Sequence, residues 1–184
     1  MDDNLQEILK IVDDHQISLE EEDIFNFLRI TRRWPPKYSW GQPSIEIITQ
    51  YVDCHQPFFD WSDGHFVFDE WKKYYDSGFT TIMSNVLDLN IELRSLRDKI
   101  FQYTGTYING NFYFSAGSTK HRVSFDPHNH DYNVILKPIY GKSIWQLSGS
   151  EYETSKKSFL IPAGESHSVS KCVDKKLSLT LNIQ

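Results

Sequence analysis

Cysteine is scarce in this chain. Its 184 residues contain 2 cysteines, Cys54 and Cys172, which form no CxxC pair and match no zinc-binding spacing. That excludes a disulfide framework and reads as two reduced thiols of a cytoplasmic protein. Long apolar runs are missing too. No stretch approaches the roughly 20 residues needed to cross a bilayer. The opening residues, Met1-Asp2-Asp3-Asn4, are acidic and polar, unlike a secretory signal. The expectation is a cytoplasmic chain with no membrane partner. Positive charge is also short, with 19 Lys and Arg against 25 Asp and Glu, a net charge of -6. Surfaces that grip phosphate backbones are basic, so no nucleic-acid partner is expected. The run Glu20-Glu21-Glu22-Asp23 is too short for an acidic arm and reads as a helix start. There is no internal repeat and no low-complexity linker.

What the chain does have is apolar and aromatic mass. Hydrophobic residues make up 39% and aromatics 15%, enough at this length for one packed core. Leu5, Ile8, Leu9 and Val12 recur at helical spacing. Ser18 and Glu21 have the form of a capping box opening a helix that carries Ile24, Phe27, Leu28 and Ile30. Trp34-Pro35-Pro36 ends it. Between Lys37 and Trp61, Gly41, Pro43 and Pro57 break long elements, and Ile45-Glu46-Ile47 suits a short strand or a helix start. Asp69 to Asp76 reads as a helix closed by Gly78. Phe79 to Val86 suits a strand. Ile91, Leu96, Ile100 and Phe101 mark a helix stopping before Gly105.

From Thr106 onward the pattern changes to short β-rich runs separated by turn residues. The candidate strands are Tyr107-Ile108, Phe112 to Ser115, Val123 to Phe125, His130 to Leu136, Ser143 to Leu147, Phe159 to Ile161, Ser166 to Ser170 and Leu177 to Ile183. Asn109-Gly110, Gly117-Ser118 and Tyr140-Gly141 supply turns. The expected fold is mainly β with N-terminal helices, an antiparallel sandwich or barrel over about 106–184 with a helical part over about 1–105 packed on it. The whole, 1–184, forms a single domain. Trp34, Tyr38, Trp40, Phe58, Phe59 and Trp61 are expected to form a hydrophobic lid.

Chemistry concentrates in two segments. In Asp126-Pro127-His128-Asn129-His130, residues two apart on a strand project from one face, so His128 and His130 aim at a common point. Asp126 shares their parity. In Ile161-Pro162-Ala163-Gly164-Glu165-Ser166-His167, a Pro-Gly turn throws the next strand back across the barrel, and His167 completes a three-imidazole face. Imidazole suits several divalent transition metals, and three protein ligands leave positions open for a substrate. His15, His55, His65 and His121 lack such company and read as structural or surface residues.

The run His128-x-His130-x-Tyr132-Asn133-Val134 followed by Gly141-Lys142-Ser143-Ile144-Trp145 resembles the HxDxYDV…GRRRW pattern of the bacterial JmjC-type ribosomal oxygenases. Tyr75-Asp76-Ser77-Gly78-Phe79-Thr80-Thr81-Ile82 with Asn85-Val86, and Leu160-Ile161-Pro162-Ala163-Gly164 with His167, resemble two further segments of that family. Lys176-Leu177-Ser178-Leu179-Thr180 resembles its closing strand. The likeness spans about 55–184 and implies a double-stranded β-helix of the cupin/JmjC kind. It implies an Fe(II)- and 2-oxoglutarate-dependent oxygenase that hydroxylates a peptide or protein side chain, with His128 and His167 as metal ligands.

The chain departs from the family's pattern in several places. His130 stands where the family has aspartate, which leaves the metal its full charge and favours anionic ligands. Ser143 stands where the family has a basic residue for the distal carboxylate of 2-oxoglutarate. Lys137 and Lys142 are the candidate replacements, with Tyr113, Ser115, Ser143 and Asn133 adding hydrogen bonds. Asp126, Asp131, Tyr132 and Trp145 are candidates for supporting the metal or the substrate. The glutamate that cupins carry after their HxH is replaced by Val134 and Ile135. Because the chain ends at Gln184, straight after the last expected strand, a ribosomal-protein substrate is not expected. The substrate is then a peptide, for example one matured into a natural product. The alternatives are a three-histidine cupin dioxygenase or isomerase acting on a small anionic substrate without 2-oxoglutarate, and a metal-binding cupin that has lost its chemistry.

Overall fold

A computed structural model describes residues 3–32, 45–48, 58–60, 62–117, 126–154, 157–172 and 174–183. Trp34, Pro35, Pro36, Tyr38, Trp40, Gly41, Pro43, Cys54, His55, Pro57, Trp61, Ser118, His121 and the expected strand Val123 to Phe125 lie outside the described residues.

Four helices precede the barrel. Helix α1 (Asp3–Asp14) buries Ile8 and Val12, the face its periodicity predicts. Helix α2 (Glu21–Ile30) is capped two residues later than the sequence suggests. The Glu20 backbone N–H donates to Asp23 Oδ2 at 2.8 Å, and the Ser18 N–H is instead taken by Glu92 Oε2 at 2.7 Å, which ties this loop to a later helix. The buried stripe of α2 is Ile24, Phe25 and Leu28, while Ile30 is 78% exposed. Helix α3 (Phe68–Asp76) ends at Ser77, followed by Gly78 at a φ of 85°. Helix α4 (Ile91–Thr104) is opened by the Asn90 side chain, which accepts from the Leu93 N–H, and stops before Gly105.

The strands are β1 (Ile45–Ile48), β2 (Thr80–Ser84), β3 (Asn109–Ser115), β4 (Asn133–Tyr140), β5 (Ser143–Leu147), β6 (Ser150–Thr154), β7 (Phe159–Ile161), β8 (His167–Lys171) and β9 (Lys176–Ile183). They form a six-stranded sheet in the order β1-β2-β3-β9-β4-β7 and a three-stranded sheet β6-β5-β8. An antiparallel bridge between His128 and His167 adds the His128 segment to the free side of β8. Numbering the barrel segments from β3 and counting His128 as the second, the two sheets run 1-8-3-6 and 5-4-7-2. That order is the double-stranded β-helix, two Greek keys folded face to face. β1 and β2 extend the larger sheet beyond it, so Ile45-Glu46-Ile47 is an edge strand.

Two local expectations are corrected, and one strand, β6, was not expected. Asn109-Gly110 lies inside β3, paired with Asn182 and Leu181. Glycine is required there because a Cβ on Gly110 would lie 2.8 Å from the Leu87 side chain, in the single 3-10 turn Val86–Asp88. Tyr107 is exposed and stacks on Phe101 at 4.2 Å in place of forming a strand. β6 has four consecutive exposed residues, so no burial alternation marks it in the sequence.

Strand parity divides the interior in two. On β9, Leu177, Leu179, Leu181 and Ile183 join a core with Ile8, Val12, Leu96 and Trp71 beneath the helices. Their neighbours Lys176, Ser178, Thr180 and Asn182 point the other way, into the barrel. Phe112 and Phe114 of β3 belong to the helix side, and Asn111 and Tyr113 to the barrel. A second, smaller cluster of Val134, Leu136, Trp145 and Ile161 fills part of the barrel. Phe58 and Phe59 pack on Phe66 in the helix-side core, so neither covers the barrel mouth as a lid.

Candidate metal centre

The three histidines converge. His128, His130 and His167 each offer a ring nitrogen, and these atoms lie within 4.8 Å of one another. Backbone geometry puts them there. His128 donates its N–H to the His167 carbonyl at 3.1 Å and accepts from the His167 N–H at 2.8 Å. Residues paired in this way across an antiparallel ladder present their side chains on one face. The Pro162-Ala163-Gly164 turn then clamps the segment carrying the third histidine. The Gly164 N–H donates to the His130 carbonyl at 2.7 Å, and the Ala163 N–H to Asn133 Oδ1 at 3.1 Å. His130 is therefore placed by this turn, and not by sharing a regular strand with His128, because β4 begins only at Asn133.

The rings are poised as ligands. His128 Nδ1 lies 2.9 Å from the Asp126 carbonyl, and His167 Nδ1 lies 2.9 Å from the Glu165 carbonyl. Carbonyls only accept, so each Nδ1 carries the proton and each Nε2 keeps its lone pair for a metal. Burial pushes the His167 pKa below that of an ordinary histidine. His130 is lowered by burial and by the charge that His128 and His167 would carry. Both effects favour the neutral, ligating form. The His130 ring stacks on Tyr132 at 4.8 Å between centroids, and Trp145 lies 6.2 Å from His167. Three neutral nitrogen donors fit a divalent transition metal of intermediate softness such as iron, nickel, copper or zinc.

The histidines stand over a cavity of about 60 Å³ inside the barrel. By the same measure a water needs roughly 10–15 Å³, so the space suits a molecule of a few heavy atoms. Tyr132, Trp145 and Tyr113 line it.

Other candidates sit elsewhere. Lys137 shares the parity of Ile135 and points under the helices, where Nζ donates to the Val12 and Asp13 carbonyls at 2.8 and 3.2 Å. It caps α1 and does not face the metal centre. Lys142 is exposed, 3.3 Å from Glu153. Ser143 is buried beside Trp145, pairing with Thr154 Oγ1 at 2.9 Å and accepting from Trp145 Nε1 at 3.1 Å, so it holds the indole in place. Ser115 bonds the Gly78 carbonyl and the Gly117 N–H, and Asn133 serves the Ala163 turn. Asp126 acts through its backbone, and exposed Asp131 acts on His130 through its charge. Of the remaining histidines, His15 Nε2 meets the Glu92 carbonyl at 2.8 Å and His65 pairs with Asp63 at 2.7 Å, both structural contacts.

The sequence reading missed the polar wall opposite the histidines. Thr80, Asn111, Lys176, Thr180 and Asn182 all line the cavity. Strict alternation of Lys176, Ser178, Thr180 and Asn182 with three leucines and Ile183 was the available signal, since a polar face on a central strand implies a polar interior.

No family model matches the chain, and no curated protein matches it. Among solved structures it is similar to a cupin superfamily protein from Desulfitobacterium hafniense, at 9% identity and a TM-score of 0.36 over 41% of this chain and 66% of that one. It is also similar to the DMSP lyase DddQ from Ruegeria pomeroyi, at 13% identity and 0.37 over 42% and 38%. A third is salicylate 1,2-dioxygenase from Pseudoaminobacter salicylatoxidans, at 13% identity and 0.35 over 41% and 19%. In each case the match takes in less than two thirds of the other chain. The fold itself rests on the strand order. No described helix is long and apolar enough to cross a membrane.

Proposed function

We propose that this protein is a cupin-type metalloenzyme that holds one divalent transition metal on His128, His130 and His167 and acts on a small anionic molecule inside the barrel. The observation that carries the reading is the convergence of three imidazoles, two with Nδ1 tied to a carbonyl, over a small cavity inside the barrel. A metal bound there supplies Lewis acidity and open coordination positions. Neutral ligands leave the full charge on the ion, so an anionic substrate is favoured over a neutral one. The protein's own part is to orient that substrate, with Trp145 and Tyr132 walling it and excluding water.

The cavity offers space for a few heavy atoms, and neither of the lysines expected to anchor 2-oxoglutarate, Lys137 and Lys142, faces it. This favours the three-histidine reading over a peptide hydroxylase. A small acid processed by an oxygenase or isomerase is the class of reaction that remains.

The test begins with metal-stripped protein titrated separately with Fe(II), Ni(II), Cu(II) and Zn(II), counting bound ions per chain. One tight site that disappears in His128→Ala and in His130→Ala supports the reading. Stoichiometric binding that survives both substitutions would sink it. Oxygen uptake and product analysis on a panel of small carboxylic acids then separates dioxygenase from isomerase activity.

A further inference from the structure

At the far end of the barrel from the histidines lies a lysine that nothing in the metal centre uses. Lys176 is 3% exposed and lines the same cavity. Its place is fixed by register. Asn182 pairs with Val134, next to the histidine segment, whereas Lys176 pairs with Ser115 at the opposite end of β9. Among the described residues, Lys176 Nζ has no hydrogen bond and no carboxylate partner. The group that touches it electrostatically is Cys172, whose Sγ faces the Asp174 carbonyl. Burial pushes the amine below the usual lysine range. An ammonium group enclosed without a counter-charge is costly, and proteins keep such a group where a ligand supplies the missing charge.

Asn111 makes a second, independent observation. It sits on β3 in register with Thr180, and its Oδ1 is buried with no partner among the described residues. Asn111 also lines the cavity. A buried amide left unpaired is rare, and its amide presents either an acceptor or two donors to a ligand. Thr180 lies directly across from Asn111, and Ser178 follows it on the barrel-facing side toward Lys176, so a polar track leads along the wall.

We infer that Lys176 is the recognition site for the carboxylate of a short bifunctional acid that runs past Asn111 along the barrel wall and whose opposite end carries an oxygen donor that reaches the histidine centre. The inference rests on the metal reading above for the second half of the ligand, and on the barrel alone for the first half. Lys176 takes the charge, Asn111 Oδ1 accepts from a hydrogen-bond donor on the acid's chain, and the length between Lys176 and the histidines selects acids by chain length. An anchor on the closing strand also accounts for the absence of a basic residue at Ser143.

The experiment uses succinate, acetate and uncharged succinamide as probes against wild type, Lys176→Met, Lys176→Gln and His128→Ala. Binding is read by titration calorimetry in metal-free protein and by the visible spectrum of Co(II)-loaded protein. Succinate is expected to bind best and succinamide not at all. Both Lys176 variants should lose succinate affinity by at least about 30-fold, the loss for removing one partner of a buried charge pair, while still binding one Co(II). His128→Ala should lose Co(II) and keep the metal-free succinate signal. Lys176→Met should melt at or above the wild-type temperature, which a lysine with an internal structural partner would not allow. Retention of succinate affinity within twofold in Lys176→Met, with Co(II) still bound, overturns the inference and leaves the metal reading standing. If wild type binds no Co(II), the metal reading fails, and metal-free succinate binding alone decides the role of Lys176.

Discussion

His128 and His167 are a hydrogen-bonded antiparallel pair, and the same two residues supply imidazoles to one centre. Placement is done by their backbones and ligation by their side chains, so the two jobs are separable. Replacing His128 by alanine leaves the bridge between the two backbones in place. The half-exposed side chain carries little packing. His128→Ala is therefore expected to keep its circular dichroism spectrum and to melt within a few degrees of wild type without metal. The difference appears on adding metal. An ion at one hundred times its Kd stabilises the wild type by about 2.7 kcal/mol, and the variant should gain almost none of this. Scanning calorimetry with and without Zn(II) checks it; an equal rise in both proteins would place the ion elsewhere.

Two buried lysines that look alike in sequence should behave in opposite ways. Lys137 Nζ donates to the last carbonyls of α1, where a positive charge also complements the helix dipole. Charged hydrogen bonds of this kind contribute roughly 1.5–3 kcal/mol. Lys137→Met should lose about that much in urea denaturation while binding succinate as tightly as wild type. A Lys137→Met protein of unchanged stability and weakened acid binding would restore Lys137 to the site.

How much of this was legible beforehand depends on whether a residue's task is local. The helix stripe of α1, the edges of β5 and β7, and the three histidines follow from periodicity and spacing, which nearby residues set, whereas α4 buries Leu93 and leaves Ile91 exposed. The Lys137 assignment went wrong because its parity on β4 depends on which face the helices cover, a long-range fact. Asn109-Gly110 carries a strong turn pattern, yet the need for close contact with Leu87 overrode it. Lys176 was quoted only as part of a closing strand. Its importance appears once β9 is seen to separate a leucine core from a polar cavity. The capping box moved by two residues because Glu92, some seventy positions away, had taken the Ser18 N–H.

Gly141 connects the barrel turn to the proposed acid site. Its φ of 76° lies in the left-handed region, and a Cβ there would overlap the Lys175 carbonyl oxygen and lie 2.8 Å from Lys176 Cα. Backbone atoms cannot swing aside as a side-chain tip does. Gly141→Ala is expected to cost more than about 3 kcal/mol, adding left-handed strain to a backbone clash. It should also displace the root of Lys176. Gly149→Ala is the control, since φ is 84° there but no atom lies within 4 Å. It should cost only the left-handed strain, roughly 1–2 kcal/mol. Denaturation midpoints for the pair separate strain from clash, and equal losses would show that the close approach to Lys175 contributes nothing.

Tyr140 sets an alkaline limit on the fold. Its hydroxyl is buried without a partner among the described residues, and burial pushes its pKa above the tyrosine value, with the charges of Glu21 and Asp23 adding to the effect. Tyr75 is raised in the same way by burial and by its 2.6 Å hydrogen bond to Glu21. In the unfolded chain both ionise near pH 10. Above that pH the unfolded state gives up protons that the folded state keeps, so the folded state binds more protons and stability falls as pH rises. Below it both states are neutral and the contribution is complete. Each such group steepens the loss by at most about 1.4 kcal/mol per pH unit. Tyr140→Phe removes one of the two. At pH 7 the variant should be as stable as wild type or up to about 1 kcal/mol more so, because an unpaired buried hydroxyl disappears. Between pH 10 and 11.5 its stability should fall less steeply than that of the wild type, by up to about 1.4 kcal/mol per pH unit. Urea denaturation at a series of pH values tests both parts, and a variant that is weaker at pH 7 would mean that the Tyr140 hydroxyl has a partner after all.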